Sequence, residues 1–157
     1  MKSASEAICL QEIPNEISLS LAISNCPCRC EGCHSQYLWE DTGRDAFKVL
    51  LQQLKQYGDL ITCILFLGGD DQEQKTDLIR CLEYVRSYFP KLKTALYSGF
   101  KSVPLDILKL LDYVKIGPYC KDLGGLNSPT TNQRLYRIDN GELIDITSMF
   151  WKKPYQL

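Results

Sequence analysis

The chain has no apolar run long enough to cross a bilayer. The longest, Leu60 to Leu67, is interrupted by Thr62 and falls far short of the roughly 20 residues that a spanning helix needs. It has no basic stripe either. The formal net charge is -1 and the pI is about 5.8, so the electrostatic footprint of direct nucleic-acid binding is missing. No long apolar stretch opens the N-terminus, so secretion is not expected. Internal repeats, linkers and low-complexity segments are also absent. What remains, at 157 residues with 45% hydrophobic and 24% charged residues, is the composition of an ordinary soluble globular protein. The expectation is one domain over residues 1–157, large enough to bury a real core.

Cysteine, by contrast, is plentiful, with eight in the chain. A disulfide framework suits small secreted domains, which this chain does not resemble in size or leader. Thiols kept reduced in the cytoplasm, some of them as metal ligands, fit better. Four of the eight fall within Asn25-Cys26-Pro27-Cys28-Arg29-Cys30-Glu31-Gly32-Cys33-His34. Cys9, Cys63, Cys81 and Cys120 are scattered and read as small core residues.

Around that stretch the hydrophobic pattern alternates between strand and helix. Ile17, Leu19, Leu21 and Ile23 alternate with small residues, a period of two that marks a strand running into the cysteines. Asp45 is placed to cap a helix from Ala46 to Tyr57, with Phe47, Leu50, Leu51 and Leu54 as its apolar stripe. Ile61 to Leu67 reads as a strand covered on both faces, and it ends in Gly68-Gly69-Asp70-Asp71. A second helix is expected from about Gln74 to Tyr88, with Leu78, Leu82 and Val85 inward. A strand from Leu92 to Tyr97 ends in Tyr97-Ser98-Gly99. Pro104 suits the first turn of a short helix to Leu111, and Tyr113 to Ile116 forms another strand. Lys121 to Thr131 reads as a long loop. Asp139-Asn140-Gly141 is a hairpin turn between Leu135–Ile138 and Leu143–Ile146, and the tail from Met149 has no periodicity. Such alternation predicts an α/β fold of five or six mostly parallel strands with helices outside. A full eight-unit barrel takes about 250 residues, so any barrel here is partial and open on one side.

Cys26, Cys30 and Cys33 form a C-x3-C-x2-C pattern. Three thiolates so spaced can wrap one face of a cubane iron–sulfur cluster and leave one iron without a protein ligand. An open metal position is where chemistry takes place. Two other readings stand beside this one. All four thiols could close a structural zinc site, although zinc usually takes separated C-x2-C knuckles. A ferredoxin-like carrier would use a fourth cluster cysteine. Cys28, inside the wider gap, is either a fourth ligand or a bystander.

The motif and its surroundings resemble the radical S-adenosylmethionine (SAM) superfamily, and within it the activating proteins of anaerobic (class III) ribonucleoside-triphosphate reductase. The resemblance is carried by Glu12-Ile13-Pro14, by Cys26 to Ser35 with Leu38-Trp39 following, and by Gly68-Gly69-Asp70. Further along it is carried by Tyr97-Ser98-Gly99, Lys115-Ile116-Gly117-Pro118-Tyr119 and Asn132-Gln133-Arg134-Leu135. It spans about Glu12 to Arg137.

The resemblance implies a partial β/α barrel of the radical SAM type with a C-terminal hairpin. Cys26, Cys30 and Cys33 would hold a [4Fe–4S] cluster, with SAM on the fourth iron. Gly32, Cys33, His34, Gly68, Gly69, Asp70, Tyr97 and Ser98 would line the SAM site. A flavodoxin- or ferredoxin-type donor would supply one electron, and SAM cleavage would place a radical on a glycine of the reductase. The cofactors carry that chemistry, so no side-chain acid or base is expected, in keeping with a single histidine. Asp70 stands where the family has Glu, Asn25 where many relatives have Gly, and Pro14-Asn15-Glu16 in place of a more glycine-rich turn. An activase for another glycyl-radical enzyme, or another small radical SAM enzyme, satisfies the same motifs.

Overall fold

The computed structural model describes residues 1–151. It consists of one mixed sheet of eight strands with helices packed on one face. In chain order these are β1 (Lys2–Cys9), β2 (Ser18–Ile23), β3 (Arg44–Asp45), α1 (Ala46–Tyr57), β4 (Cys63–Leu67) and α2 (Lys75–Tyr88). They continue as β5 (Lys93–Tyr97), α3 (Leu105–Leu108), β6 (Tyr113–Ile116), β7 (Arg134–Asp139) and β8 (Glu142–Asp145). The sheet order is β3-β1-β2-β4-β5-β6-β7-β8, and its two edges do not pair with each other.

The expected helices and central strands are present, but the sheet is not mostly parallel. Only the pairings β2–β4, β4–β5 and β5–β6 are parallel. The flanking pairings β1–β2, β1–β3, β6–β7 and β7–β8 are antiparallel. The cause lies in the connections. A parallel neighbour needs a crossover, usually helical. Helices intervene only between β2 and β4, β4 and β5, and β5 and β6. The strand count also exceeds five or six. β1 carries Ser3, Ser5 and Glu6 among small residues and shows no apolar alternation. β3 is two residues long. The hairpin around Asp139-Asn140-Gly141 forms as expected, with Asp139 opposite Glu142 and both Asn140 and Gly141 at positive φ. The tail begins as a 3-10 turn, Thr147–Trp151, and the rest of it lies outside the described residues.

Helix α1 starts where the sequence places it, because the Asp45 carboxylate accepts from the Lys48 N–H at 2.9 Å. Its buried stripe is Ala46, Val49, Leu50 and Leu54, with Leu51 only half-buried. The stripe packs with Leu78, Leu82 and Val85 of α2 onto Leu19, Leu21, Ile64, Phe66, Leu96 and Val114 of the sheet. Each such large apolar side chain contributes roughly 1.5–3 kcal/mol by leaving water. The small residues that alternate with β2's leucines are buried as well. Its period of two therefore separates two covered faces rather than an inside from an outside. On the second face, Ile13, Cys63, Leu65, Ala95, Tyr113 and Leu135 form a smaller core. Cys63 and Cys81 are core residues as expected, whereas Cys9 and Cys120 are only half-buried. No helix among the described residues is long and apolar enough to cross a membrane.

Candidate functional site

Parallel strands deliver their C-terminal ends to the same edge of a sheet, which is where α/β proteins bind ligands. Here β2 ends in the cysteine loop, β4 in Gly68-Gly69-Asp70, β5 in Tyr97-Ser98 and β6 in Gly117-Pro118-Tyr119. Ala22 lies opposite Leu67, and Leu67 opposite Tyr97, so the expected site segments leave the sheet side by side.

The cysteine loop is closed at its base by backbone bonds. Asn25 N–H donates to the Glu40 carbonyl at 3.1 Å, and Cys26 N–H to the Leu38 carbonyl at 2.9 Å. Asn25 has φ 60° and Arg29 φ 43°, and Asn is among the few side chains that tolerate the left-handed region. The departure from glycine at position 25 is therefore conformationally conservative. The Arg29 guanidinium sits 5.9 Å from the centre of the Trp39 ring, which packs Trp39 against the loop. His34 is exposed, with its ring 5.6 Å from that of Tyr119.

None of the four loop cysteines is in a disulfide, and all are half-buried. Among the described residues no three thiol, imidazole or carboxylate groups converge on the scale of one metal ion. A single zinc ion gathers its ligands within about 2.3 Å, whereas a cubane cluster is several atoms across. Three half-buried thiols on one short loop are a donor set that such a cluster can take. Other features fit it too. The Ser35 N–H points at Cys33 Sγ from 3.3 Å, the kind of hydrogen bond that tunes cluster sulfurs. The neighbouring Cys28 side chain draws the Cys26 pKa down to about 6. The Cys26 side chain and burial push the pKa of Cys28 up. Cys28 also turns inward, since a Cβ at Gly99 would meet its sulfur at 2.6 Å.

The site residues named from the sequence divide between two adjoining places. Cys26, Cys28, Gly68, Gly69 and Asp70 line a narrow crevice on one side of the loop. Gly68 and Gly69 have φ 89° and 96°, which only glycine adopts without strain, and Gly68 N–H donates to the Tyr97 carbonyl at 2.9 Å. Asp70 is buried, and its carboxylate accepts from Ser98 Oγ at 2.5 Å. Burial pushes its pKa up. On the other side, Cys33, His34 and Tyr97 border a cleft of about 1070 Å³. The Tyr97 hydroxyl donates to the Glu12 carbonyl. Gly32 lies at the loop tip with φ 73°, over the Lys121 side chain.

Two residues of this cleft, Gln133 and Lys115, lie in segments that carry the resemblance but were not among the site residues named from the sequence. Gln133 is buried and donates to the Gly117 carbonyl at 3.3 Å. Lys115 is 7% exposed, and its ammonium donates to the carbonyls of Ser98 at 3.0 Å and Gly117 at 3.1 Å. Its signal was visible, because a lysine inside the apolar strand Tyr113-Val114-Lys115-Ile116 is out of keeping with a covered sheet.

Residues 17–138, from just before β2 to the penultimate residue of β7, match the family model described as a 4Fe-4S single cluster domain. The chain belongs to that family. It is also 27% identical, over 143 residues, to the anaerobic ribonucleoside-triphosphate reductase-activating protein of Enterobacteria phage T4. That match covers 84% of this chain and 86% of the phage protein, so the resemblance read from the motifs holds along most of the chain. No solved structure matches it.

Proposed function

We propose that the chain is a radical SAM activase whose protein substrate is an anaerobic ribonucleoside-triphosphate reductase. The observation that carries this reading is the placement of two motifs. The C-x3-C-x2-C loop and Gly68-Gly69 leave neighbouring parallel strands, β2 and β4, at the same end of the sheet. Membership of the 4Fe-4S single cluster domain family and the similarity to the phage activating protein support it.

In this reading Cys26, Cys30 and Cys33 hold a [4Fe–4S] cluster, and Cys28 stays a bystander packed on Gly99. When bound, cluster and SAM supply the one-electron chemistry that removes a hydrogen atom from a glycine Cα of the partner. The protein's own work is placement. Gly68 and Gly69 present backbone without side chains, so an amino group of SAM can approach closely. Gly32, Cys33 and His34 offer backbone along the adenine side, and Tyr97 walls the cleft. Asp70 and Ser98 hold the floor through their mutual hydrogen bond rather than by touching SAM. The eight-strand sheet, with its unpaired edges, serves as a partial barrel of the radical SAM type. Its open side gives a glycine-bearing segment of the partner a way in. One domain, a cytoplasmic setting and a flavodoxin- or ferredoxin-type electron donor complete the proposal.

The test is anaerobic. Reconstituted protein is mixed with the reductase, SAM and a chemical reductant, and a glycyl radical is sought by electron paramagnetic resonance. A radical on the reductase is expected. SAM cleavage without it would leave an activase of another glycyl-radical enzyme. A colourless protein with tightly bound zinc would overturn the reading.

A further inference from the structure

A buried charge costs free energy unless something compensates it. Lys115 is such a charge. Its ammonium is fixed by the Ser98 and Gly117 carbonyls, which use two of its three donors. It stands 5.7 Å from the centre of the Tyr97 ring, its register partner on β5. Among the described residues it has no carboxylate within ion-pair distance. It borders the same cleft as Cys33 and His34. Burial draws its pKa down to about 8, and Cys30, Cys28, Asp70 and Cys26 act in the opposite direction. The cation therefore lies within electrostatic reach of the cysteine loop and of Asp70.

We infer that Lys115 is a positioning residue of the cluster site, whose buried ammonium is the fixed positive charge that raises the cluster's reduction potential. The inference rests on the cluster reading proposed above. A thiolate-ligated [4Fe–4S] cluster becomes more negative on taking an electron. Net charge, hydrogen bonding and burial set its potential. A cation held in a poorly hydrated place nearby favours the reduced state, and burial weakens the screening that would blunt it at a surface. Two backbone carbonyls keep the ammonium on the floor of the cleft, where it can act without becoming a ligand.

The test uses reconstituted full-length protein in the absence of SAM, with the potential read by redox titration followed by absorbance and electron paramagnetic resonance. K115R keeps the charge, K115Q keeps hydrogen-bond donors without charge, and K115M keeps neither. K115R is expected to hold the wild-type potential. K115Q and K115M are each expected to lose about tenfold in the one-electron reduction constant, a shift of about 59 mV to more negative values. Equal potentials in all four proteins would overturn the inference. So would a shift seen only when SAM is added, which would make Lys115 a contact to the ligand's carboxylate. If K115Q and K115M remain folded by circular dichroism but fail to take up the cluster that K115R accepts, the charge requirement is supported. If they fail to fold, Lys115 is structural and the inference falls. A wild-type chain that takes up no cluster removes the underlying reading, and the inference with it.

Discussion

Ser98 Oγ donates to Asp70 Oδ2 across 2.5 Å, and both residues are buried where β5 and β4 end. The bond ties together the two loops that floor the cysteine site. Asp70 also lines the crevice shared by Cys26 and Cys28. Removing the donor leaves a buried carboxylate short of a partner, a loss of about 1–3 kcal/mol. S98A is therefore expected to lower the stability of the cluster-free protein by that amount in urea unfolding. A change below about 0.5 kcal/mol, the size of an ordinary surface substitution, would mean that the bond contributes little.

The same carboxylate gives a pH signature. Burial raises the Asp70 pKa above its ordinary value of 3.8, so the folded state holds this proton more tightly than the unfolded state. Its contribution favours folding fully below the unfolded pKa and is lost as pH rises through the folded pKa. D70N cannot titrate, yet its carbonyl can still accept from Ser98. Measured by thermal unfolding from pH 4 to pH 7, wild type is expected to lose stability relative to D70N as pH rises. Parallel curves for the two proteins would contradict this.

The three spaced cysteines and Cys28 are expected to behave differently. C26S, C30S and C33S should each lose most of the iron and labile sulfide after anaerobic reconstitution. C28S should retain about one cluster per chain, because its thiol is turned onto Gly99 and the other three suffice to hold a cubane with one open iron. Iron analysis together with the visible absorbance decides the matter. Cluster loss in C28S would make all four thiols ligands.

Packing between Gly99 and Cys28 provides an independent check on that orientation. A Cβ at position 99 would stand 2.6 Å from Cys28 Sγ and 3.3 Å from its Cβ. G99A is expected to cost about 1–3 kcal/mol through overpacking, with a parallel loss of cluster occupancy as the loop is pushed outward. In the double variant G99A/C28A the sulfur is gone, so much of the loss should be recovered. Strict additivity in the cycle would show that the two side chains do not meet.

The sequence by itself determined the elements that carry regular periodicity and the residues that carry the motif. Helix α1 begins and ends where the Asp45 cap and the apolar spacing place it. Strand β6 spans the four residues read from its pattern. The C-x3-C-x2-C spacing of Cys26, Cys30 and Cys33 puts an iron–sulfur loop among the readings of the chain, and the family match bears out a 4Fe-4S domain. These features are local: caps, turn residues and ligand spacings act over a few residues, so the chain states them directly.

The tertiary structure alone decided the rest. β1 is polar and half-exposed, and it becomes a strand because β2 offers it an antiparallel edge. The antiparallel pairings β1–β2, β1–β3 and β6–β7, added to the expected β7–β8 hairpin, turn an expected mostly parallel sheet into a mixed one. The site was divided in the same way. Asp70 is named from the sequence as a residue of the SAM site, and the fold sets its carboxylate against Ser98, 28 residues away. Lys115 reads as an interruption in a strand but is a buried cation bordering the cleft of Cys33 and His34. Which way a side chain faces, and what charge lies across from it, depends on partners from distant parts of the chain. Only the folded sheet brings those partners together.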